Sequence, residues 1–426
     1  MTQDQNIPVG YKQTDAGVIP EDWEVKELRD ICVYQNGKAL ESFFNDHDGY
    51  SVVSIGNYSP EGSFVSTKTY IDKKYKSSIE KYLLKSGDLA MILNDKTSLG
   101  TILGRTLLIS KNDEFVFNQR TMRIRPKSVQ PEFLHYLINF DFIHKVIVGK
   151  SMPGTQIYIN TSDVLRLKLS LPVNSVERDR IIEVIKDIDS LISKLDQLIQ
   201  KKKNIKQGAM QELLTGKRRL PGFSGEWEHK AMGEIGVTYG GLSGKVKSDF
   251  EKGSFPYIPF MNIMSNPIID TTYFDYVNIK PSENQNKASK GDLFFNGSSE
   301  TPEEVGMCSA LLEDIPNLYL NSFCFGFKLN KELKTNSLYL AYFYRSDVGR
   351  KLIFSLAQGA TRYNLSKTKF MKLEIPYPDP EEQTALANTF SDMDSEIFKL
   401  QIIRDKYAEL KQGMMQQLLT GKIRLI

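Results

Sequence analysis

Hydrophobic and polar positions along this chain alternate between two textures. From Glu177 to Leu214 there is no Pro, and the one Gly is Gly208. Apolar residues recur there at spacings of three and four: Ile181, Ile185, Ile188, Ile192, Leu195 and Ile199, then Ala209 and Leu213, with Leu191 and Leu198 widening the stripe. A second run, Leu386, Phe390, Met393, Ile397, Leu400, Tyr407, Met414 and Leu418, holds the same register. Sustained spacing of this kind predicts two long helices, each with one apolar seam. At ~1.5 Å per residue each helix would be roughly 55–60 Å long. Matching seams predict that the two helices pair, and a pseudo-two-fold axis between them would make the pair antiparallel, a rod with a globule at either end. Lys202, Lys206, Arg404 and Lys411 are polar seam positions that would fix register or meet a partner.

Ahead of each helix the texture is different. "YSVVSIG", "DLAMIL", "ILGRTLLI", "TMRIRP" and "LRLKLSLP" are short apolar stretches bounded by Gly, Asn, Pro and Asp. That is the pattern of strands and turns. One longer stretch, "PEFLHYLINFDFIHKVIVG", reads as helical, as does "SLYLAYFYRSDVGRKLIFSL" further on. Each half of the chain therefore opens with a mixed α+β globule, mainly strands with a few helices.

The two halves are copies of one unit. "KQGAMQELLTGKRRL" (206–220) and "KQGMMQQLLTGKIRL" (411–425) are identical at 12 of 15 positions. Upstream, Trp23 opens "WEVKELRDI" and Trp227 opens "WEHKAMGEI", and the chain has no other Trp. Gly87-Asp88-Leu89 answers to Gly291-Asp292-Leu293, and Asn57 to Asn262. Gly154 and Asn160 precede a strand ending at Pro172, as Gly359 and Asn364 precede one ending at Pro376. A period of about 200 residues is too long for a solenoid and indicates a duplicated domain. Each globule would end in its own helix, with Gly216 and Gly421 in the left-handed position past the helix end. The expected segments are 1–175 and 217–380 for the globules, 176–216 and 381–426 for the helices.

Composition changes this picture little. The chain has 426 residues, 40% hydrophobic and 25% charged, and a formal charge of +3. Net charge is therefore silent about nucleic acid, and any such case rests on local clusters. No apolar run approaches the ~18–20 residues of a membrane span. The N-terminal stretch lacks a signal-peptide pattern, and Cys32, Cys308 and Cys324 show no CxxC spacing. Reduced thiols in a cytoplasmic protein are expected.

Taken together, the duplicated Trp-led start, the "GDL" turn, the Gly…Asn loop before a Pro-ended strand and the long helix ending "QxLLTGK" resemble the specificity subunit of type I DNA restriction-modification enzymes. The resemblance covers the whole chain. It implies a non-catalytic DNA-recognition subunit in which each globule is a target-recognition domain reading one half of a bipartite site in double-stranded DNA. The helices become conserved spacers that set the distance between half-sites and dock two methyltransferase subunits. S-adenosylmethionine is then expected on those adenine-methylating partners, with no cofactor in this chain, and restriction subunits join in the full complex.

Base readout needs polar side chains with paired donors and acceptors, and phosphate contacts need Lys and Arg. Loops at matching places hold such residues. In the first copy they are Lys38, Asn57, Tyr58, Asn94, Lys96, Asn118, Gln119, Arg120, Thr155, Gln156 and Tyr158. In the second they are Ser243, Lys245, Asn262, Asn296, Ser298, Ser299, Asn321, Thr361, Arg362 and Tyr363. The bland reading of any polar loop residue is a solvated surface. The Gly-led loops 154–158 and 359–363 stand out, because Gly lets backbone approach a ligand. "KTYIDKKYKSSIEKYLLK" (68–85) interleaves Lys with Tyr, as a phosphate-tracking surface or a solvated segment would. "QKKKNIK" and "GKRRL" read as solvated charge.

Catalytic signals are poor. There is no NPPY-like tetrapeptide, no Walker A sequence, and no HExxH or zinc spacing among the four histidines. Glu24-Val25-Lys26 and Glu228-His229-Lys230 leave a nuclease-like trace, with Asp15 or Asp22 as a further acid in the first copy. The rival readings are a stand-alone nuclease with paired recognition domains, and a coiled-coil adaptor that binds no nucleic acid.

Overall fold

The computed structural model describes residues 7–426 apart from Pro153, Thr155, Lys252 and Ala360. The chain forms two compact units: residues up to Lys194 together with Arg404–Ile426, and Leu195–Ile403. Each is built on the same plan.

In the first unit a four-stranded antiparallel sheet has the order Thr106–Leu108, Leu89–Ile92, Thr121–Pro126, Cys32–Asn36. The second unit repeats that order with Cys308–Ala310, Leu293–Asn296, Cys324–Leu329 and Gly236–Gly240. A smaller sheet contains one parallel pair in each: Phe115–Phe117 beside Tyr50–Val53, and Tyr319–Leu320 beside Phe255–Ile258. The stretches read as single helices are pairs of short ones. Pro131–Asn139 and Asp141–Gly149 are separated by Phe140, and Ser337–Arg345 and Asp347–Phe354 by Ser346. Phe140 and Ser346 have extended backbone, and the Ser346 hydroxyl accepts from the Gly349 amide at 3.2 Å, capping the second helix of its pair.

The long helices span Ser175–Leu213 and Pro380–Leu418. Within each unit, part of one packs on part of the other. In the first unit Ile181 and Ile185 join Met415, Leu418 and Leu419 in a core with Leu134, Leu137 and Leu169. In the second, Met210, Leu213 and Leu214 join Leu386, Ala387 and Phe390. Each buried Ile, Leu, Met or Phe among them contributes about 1.5–3 kcal/mol. Ion pairs show the direction. Lys202 meets Glu396 at 2.6 Å and Lys206 meets Asp394 at 2.5 Å, while in the first unit Asp189 meets Lys411 at 2.6 Å and Glu177 meets Arg424. Partner numbers fall as helix numbers rise, so the pairing within each unit is antiparallel. Ile188, Ile199 and Ile397 are buried, and Ile192, Leu195, Met393, Leu400 and Tyr407 are half-buried. Leu191 and Leu198, expected to widen the seam, lie on the exposed side.

The repeated peptide has a visible purpose. Gly216 and Gly421 have φ of 70° and 71°, the left-handed value expected past a helix end. Just beyond them, Arg219 and Arg424 fork onto buried glutamates, each from the start of a long helix. Arg219 reaches Glu382 Oε1 at 2.6 Å and Oε2 at 2.5 Å, and Arg424 reaches Glu177 at 2.6 and 2.9 Å. Trp227 donates its indole N–H to Glu382 at 2.8 Å, and Trp23 donates to Glu177 at 3.3 Å. "GKRRL" is therefore not only solvated charge, because Arg219 is an ion-pair partner inside its unit. The first unit takes this peptide from the far end of the chain.

Candidate nucleic-acid interface

Seven of the sequence-selected polar residues lie inside the protein, so their expected place on a contact surface is corrected. Asn57 and Asn262 each close a loop. The Asn57 amide donates to Val65 O at 2.8 Å and Thr67 Oγ1 at 3.1 Å, and the Asn262 amide donates to Asp270 O at 2.9 Å and Tyr273 O at 2.7 Å. Asn296 spans a turn, donating to Glu304 O at 2.9 Å and accepting from Met307 N at 2.6 Å. Asn118 accepts from Leu40 N at 2.9 Å, and Ser299 donates to Glu304 at 2.9 Å. Tyr58 donates to Ala90 O at 3.1 Å, and burial pushes its phenol well above the usual range. The Lys245 ammonium is tucked onto Asn278 O at 2.6 Å and pairs with Glu283. A buried polar group must be satisfied internally, and these residues hold the loops from beneath. Ser243 is exposed, but its backbone is tied at both ends to Gln285.

The remaining candidates converge on one small surface in each unit. In the first, Asn94–Asp95 pairs with Ile157–Tyr158. The Leu93 amide donates to Arg120 O at 2.8 Å, and the Ile159 amide to Leu93 O at 3.0 Å. These bonds draw the turn 118–121 against the strand and the hairpin. Lys38 joins through a backbone bridge to Asn118. Gln119 donates to Glu41 at 2.6 Å, and Arg120 donates to Gln156 at 3.2 Å. Lys38, Lys96, Gln119, Arg120, Gln156 and Tyr158 are exposed and Asn94 is half-buried; Thr155 lies outside the described residues. Glu41 was not singled out from the sequence. Hydrogen bonds, first from Asn118, hold its carboxyl below the usual carboxylate range.

The second unit repeats the frame with other side chains. The Gly297 amide donates to Phe323 O at 2.8 Å, and the Leu365 amide to Gly297 O at 3.0 Å. Ser298 and Ser299 pair with Asn364 and Tyr363. The Asn321 side chain accepts from Phe323 N at 2.9 Å. Thr361 and Arg362 are exposed, Tyr363 half-buried, and the Arg362 guanidinium lies over the Phe323 ring, 5.6 Å from its centroid. Phe323, 56% exposed, and Asn364 are surface residues that sequence reasoning passed over. The repeat carried the signal, since Phe323 stands where the first copy has Arg120. Gly359, at φ 142°, closes the hairpin: a Cβ there would fall 2.0 Å from Arg362 O.

The acids of the nuclease-like trace are engaged. Glu24 pairs with Lys26 at 2.9 Å and Glu228 with Lys230 at 2.8 Å, along the exposed side of the Trp-led strands. Asp15 pairs with Lys168, and Asp22 with Arg424 at 2.7 Å. Among the described residues no cluster of His, Cys, Asp and Glu could hold a metal ion, and no helix is long and apolar enough to cross a membrane.

Residues 20–207 and 224–412 each match the family model of the type I restriction modification DNA specificity domain. The chain is 26% identical over 450 aligned positions to a putative type I restriction enzyme MjaX specificity subunit of Methanocaldococcus jannaschii, covering 97% of both. It is 30% identical over 213 positions to the MjaVIII specificity subunit of the same organism, covering 49% of each. In fold it is similar to the S subunit of a type I restriction-modification system from M. genitalium, with a TM-score of 0.55, 14% identity and 98% of both chains covered. A chain solved in a study of type I system assembly and conformational transition gives a TM-score of 0.60 at 18% identity, covering 95% of this chain and 99% of that one.

Proposed function

This chain belongs to the type I restriction-modification DNA specificity family, and from that membership we propose how its two domains divide the work. Its part in the system is recognition rather than catalysis, and it carries the recognition domain twice. Each domain reads one half of a split target in double-stranded DNA. The carrying observation is that two identical backbone frames present different exposed side chains, Arg120, Gln156 and Tyr158 in one, Phe323, Thr361 and Arg362 in the other. Identical frames dock alike, and different side chains read different bases. The paired helices set the interval between half-sites and seat two methyltransferase subunits, which carry S-adenosylmethionine; restriction subunits complete the assembly in the cytoplasm. Exposed Leu198 and Ile205, seven apart, and Phe398 and Ile402, four apart, each share a helix face. Large apolar side chains left on a surface mark a place for a partner.

A graft tests the division. Replacing 227–375 with the corresponding segment of another family member should change one half of the methylated sequence and leave the other half intact. Methylation mapping by long-read sequencing reads the result. A change in both halves would defeat the two-domain reading, and a saturated complex holding one methyltransferase by mass would defeat the paired docking.

A further inference from the structure

We propose that Arg120 and Arg362 are equivalent guanine readers, one per half-site, although they come from opposite sides of the shared frame. The inference rests on the recognition reading above. Arg120 and Phe323 occupy the same slot, since the carbonyl of each accepts from the strand amide of Leu93 or Gly297, both at 2.8 Å. Gln156 and Arg362 occupy the facing slot, each immediately before the hairpin strand that pairs with Asn94–Asp95 or Ser298–Ser299. In the first unit the turn supplies the guanidinium and the hairpin supplies its support, Gln156 at 3.2 Å. In the second the hairpin supplies the guanidinium and the turn supplies its support, the Phe323 ring. The duplicated frame thus sets a guanidinium at the same junction by two different routes.

Backbone conformation points the same way. Arg120 has φ 65°, a left-handed value that favours Gly or Asn over a long side chain. A residue kept in such a conformation calls for a reason beyond the fold. Arg362 is fixed by the tight hairpin at Gly359 and by the Asn364 amide on its carbonyl at 3.4 Å. Its guanidinium lies over the Phe323 ring and makes no hydrogen bond among the described residues, so its N–H groups are left for a ligand. A guanidinium fork with its orientation preset matches guanine O6 and N7, the commonest specific contact in the major groove. The exposed carboxylate of Glu41, bonded to neighbouring Gln119, would be out of place on a surface built for phosphate alone.

The experiment uses the full chain assembled with its methyltransferase and a duplex library randomised across both half-sites. Arg120→Gly removes the guanidinium while relaxing the backbone, so folding is retained. It should abolish guanine preference at one position of one half-site, a loss of roughly 5- to 150-fold in discrimination. Arg362→Ala should do the same at one position of the other half-site. Phe323→Leu should weaken preference at the Arg362 position and nowhere else. In every variant the untouched half-site reports that the complex is intact. A uniform loss across all sequences, with the salt slope reduced by about one, would assign the arginines to phosphate and overturn the proposal. Unchanged preference at every position would overturn it too. A wild-type complex with no half-site preference would instead defeat the recognition reading itself.

Discussion

His135, on the helix Pro131–Asn139, lies with Nδ1 3.0 Å from Thr106 Oγ1 and 3.2 Å from the Asn139 amide. Burial, and then the charge of Lys411, pulls its pKa down to about 4. In the unfolded chain the value is near 6.5. Between those values the unfolded state binds a proton that the folded state does not, so stability falls as pH drops from about 6.5 to 4. The full linkage is about 3 kcal/mol. His144 is shifted downward as well, chiefly by burial, and acts in the same direction. Asp22, held below the usual range chiefly by its hydrogen bond from Arg424, adds its loss only at lower pH. Urea unfolding of the first unit should therefore show a lower midpoint at pH 4.5 than at pH 7, and His135→Gln should flatten the difference. Equal slopes for both proteins would remove His135 as the cause. Sequence alone showed only that the histidines lack a metal spacing, and it offered the loop asparagines as DNA contacts or solvated surface. Asn57 and Gln119 are both amides in polar loops, but one is sealed under its loop and the other is exposed. Residue type does not encode that difference; the strand packed beneath the loop does.

At the scale of elements the pattern was most legible where it was longest. Heptad spacing gave both long helices, and Gly after Leu-Leu-Thr gave their ends. The break at Phe140 was hidden because both flanks are apolar and helix-forming, and only packing shows that two short helices fit where one does not. The two helix-ending glycines also differ in a way no pattern reveals. Alanine at either would keep a left-handed backbone, costing about 1–2 kcal/mol. At Gly216 the nearest atom to a new Cβ is Trp227 Cε3 at 3.3 Å, which a small shift relieves. At Gly421 the new Cβ would lie 2.5 Å from Pro20 Cγ and 2.6 Å from Cδ, atoms of a rigid ring. Gly421→Ala should therefore destabilise the first unit by clearly more than Gly216→Ala destabilises the second. Hydrogen exchange on peptides from each unit makes the comparison, and equal losses would show that Pro20 yields.

For the whole molecule, the repeat announced two copies but not which segments fold together. The simplest reading ended each globule in its own helix. In the structure the peptide at 206–220 serves the second unit, and its copy at 411–425 serves the first. A chain ending at Ile403 therefore loses nothing of the second unit and a whole flank of the first. Met415, Leu418 and Leu419 leave the core around Leu134, Leu169 and Ile181, each loss about 1.5–3 kcal/mol. Glu177, 0% exposed, loses Arg424 and keeps, among the described residues, only the weak donor of the Trp23 indole. Stripping the partner from a buried charge costs a further ~3–5 kcal/mol. Together these approach or exceed the ~5–15 kcal/mol that holds a typical domain folded. In the shortened chain, hydrogen exchange should lose protection around Trp23 and Leu89–Ile92, hundreds of residues from the cut. Leu293–Asn296 and Cys324–Leu329, much nearer to it in sequence, should keep theirs. If protection is lost instead in the second unit, the C-terminal segment stabilises its own repeat, and the exchange of peptides between repeats does not hold the domains together.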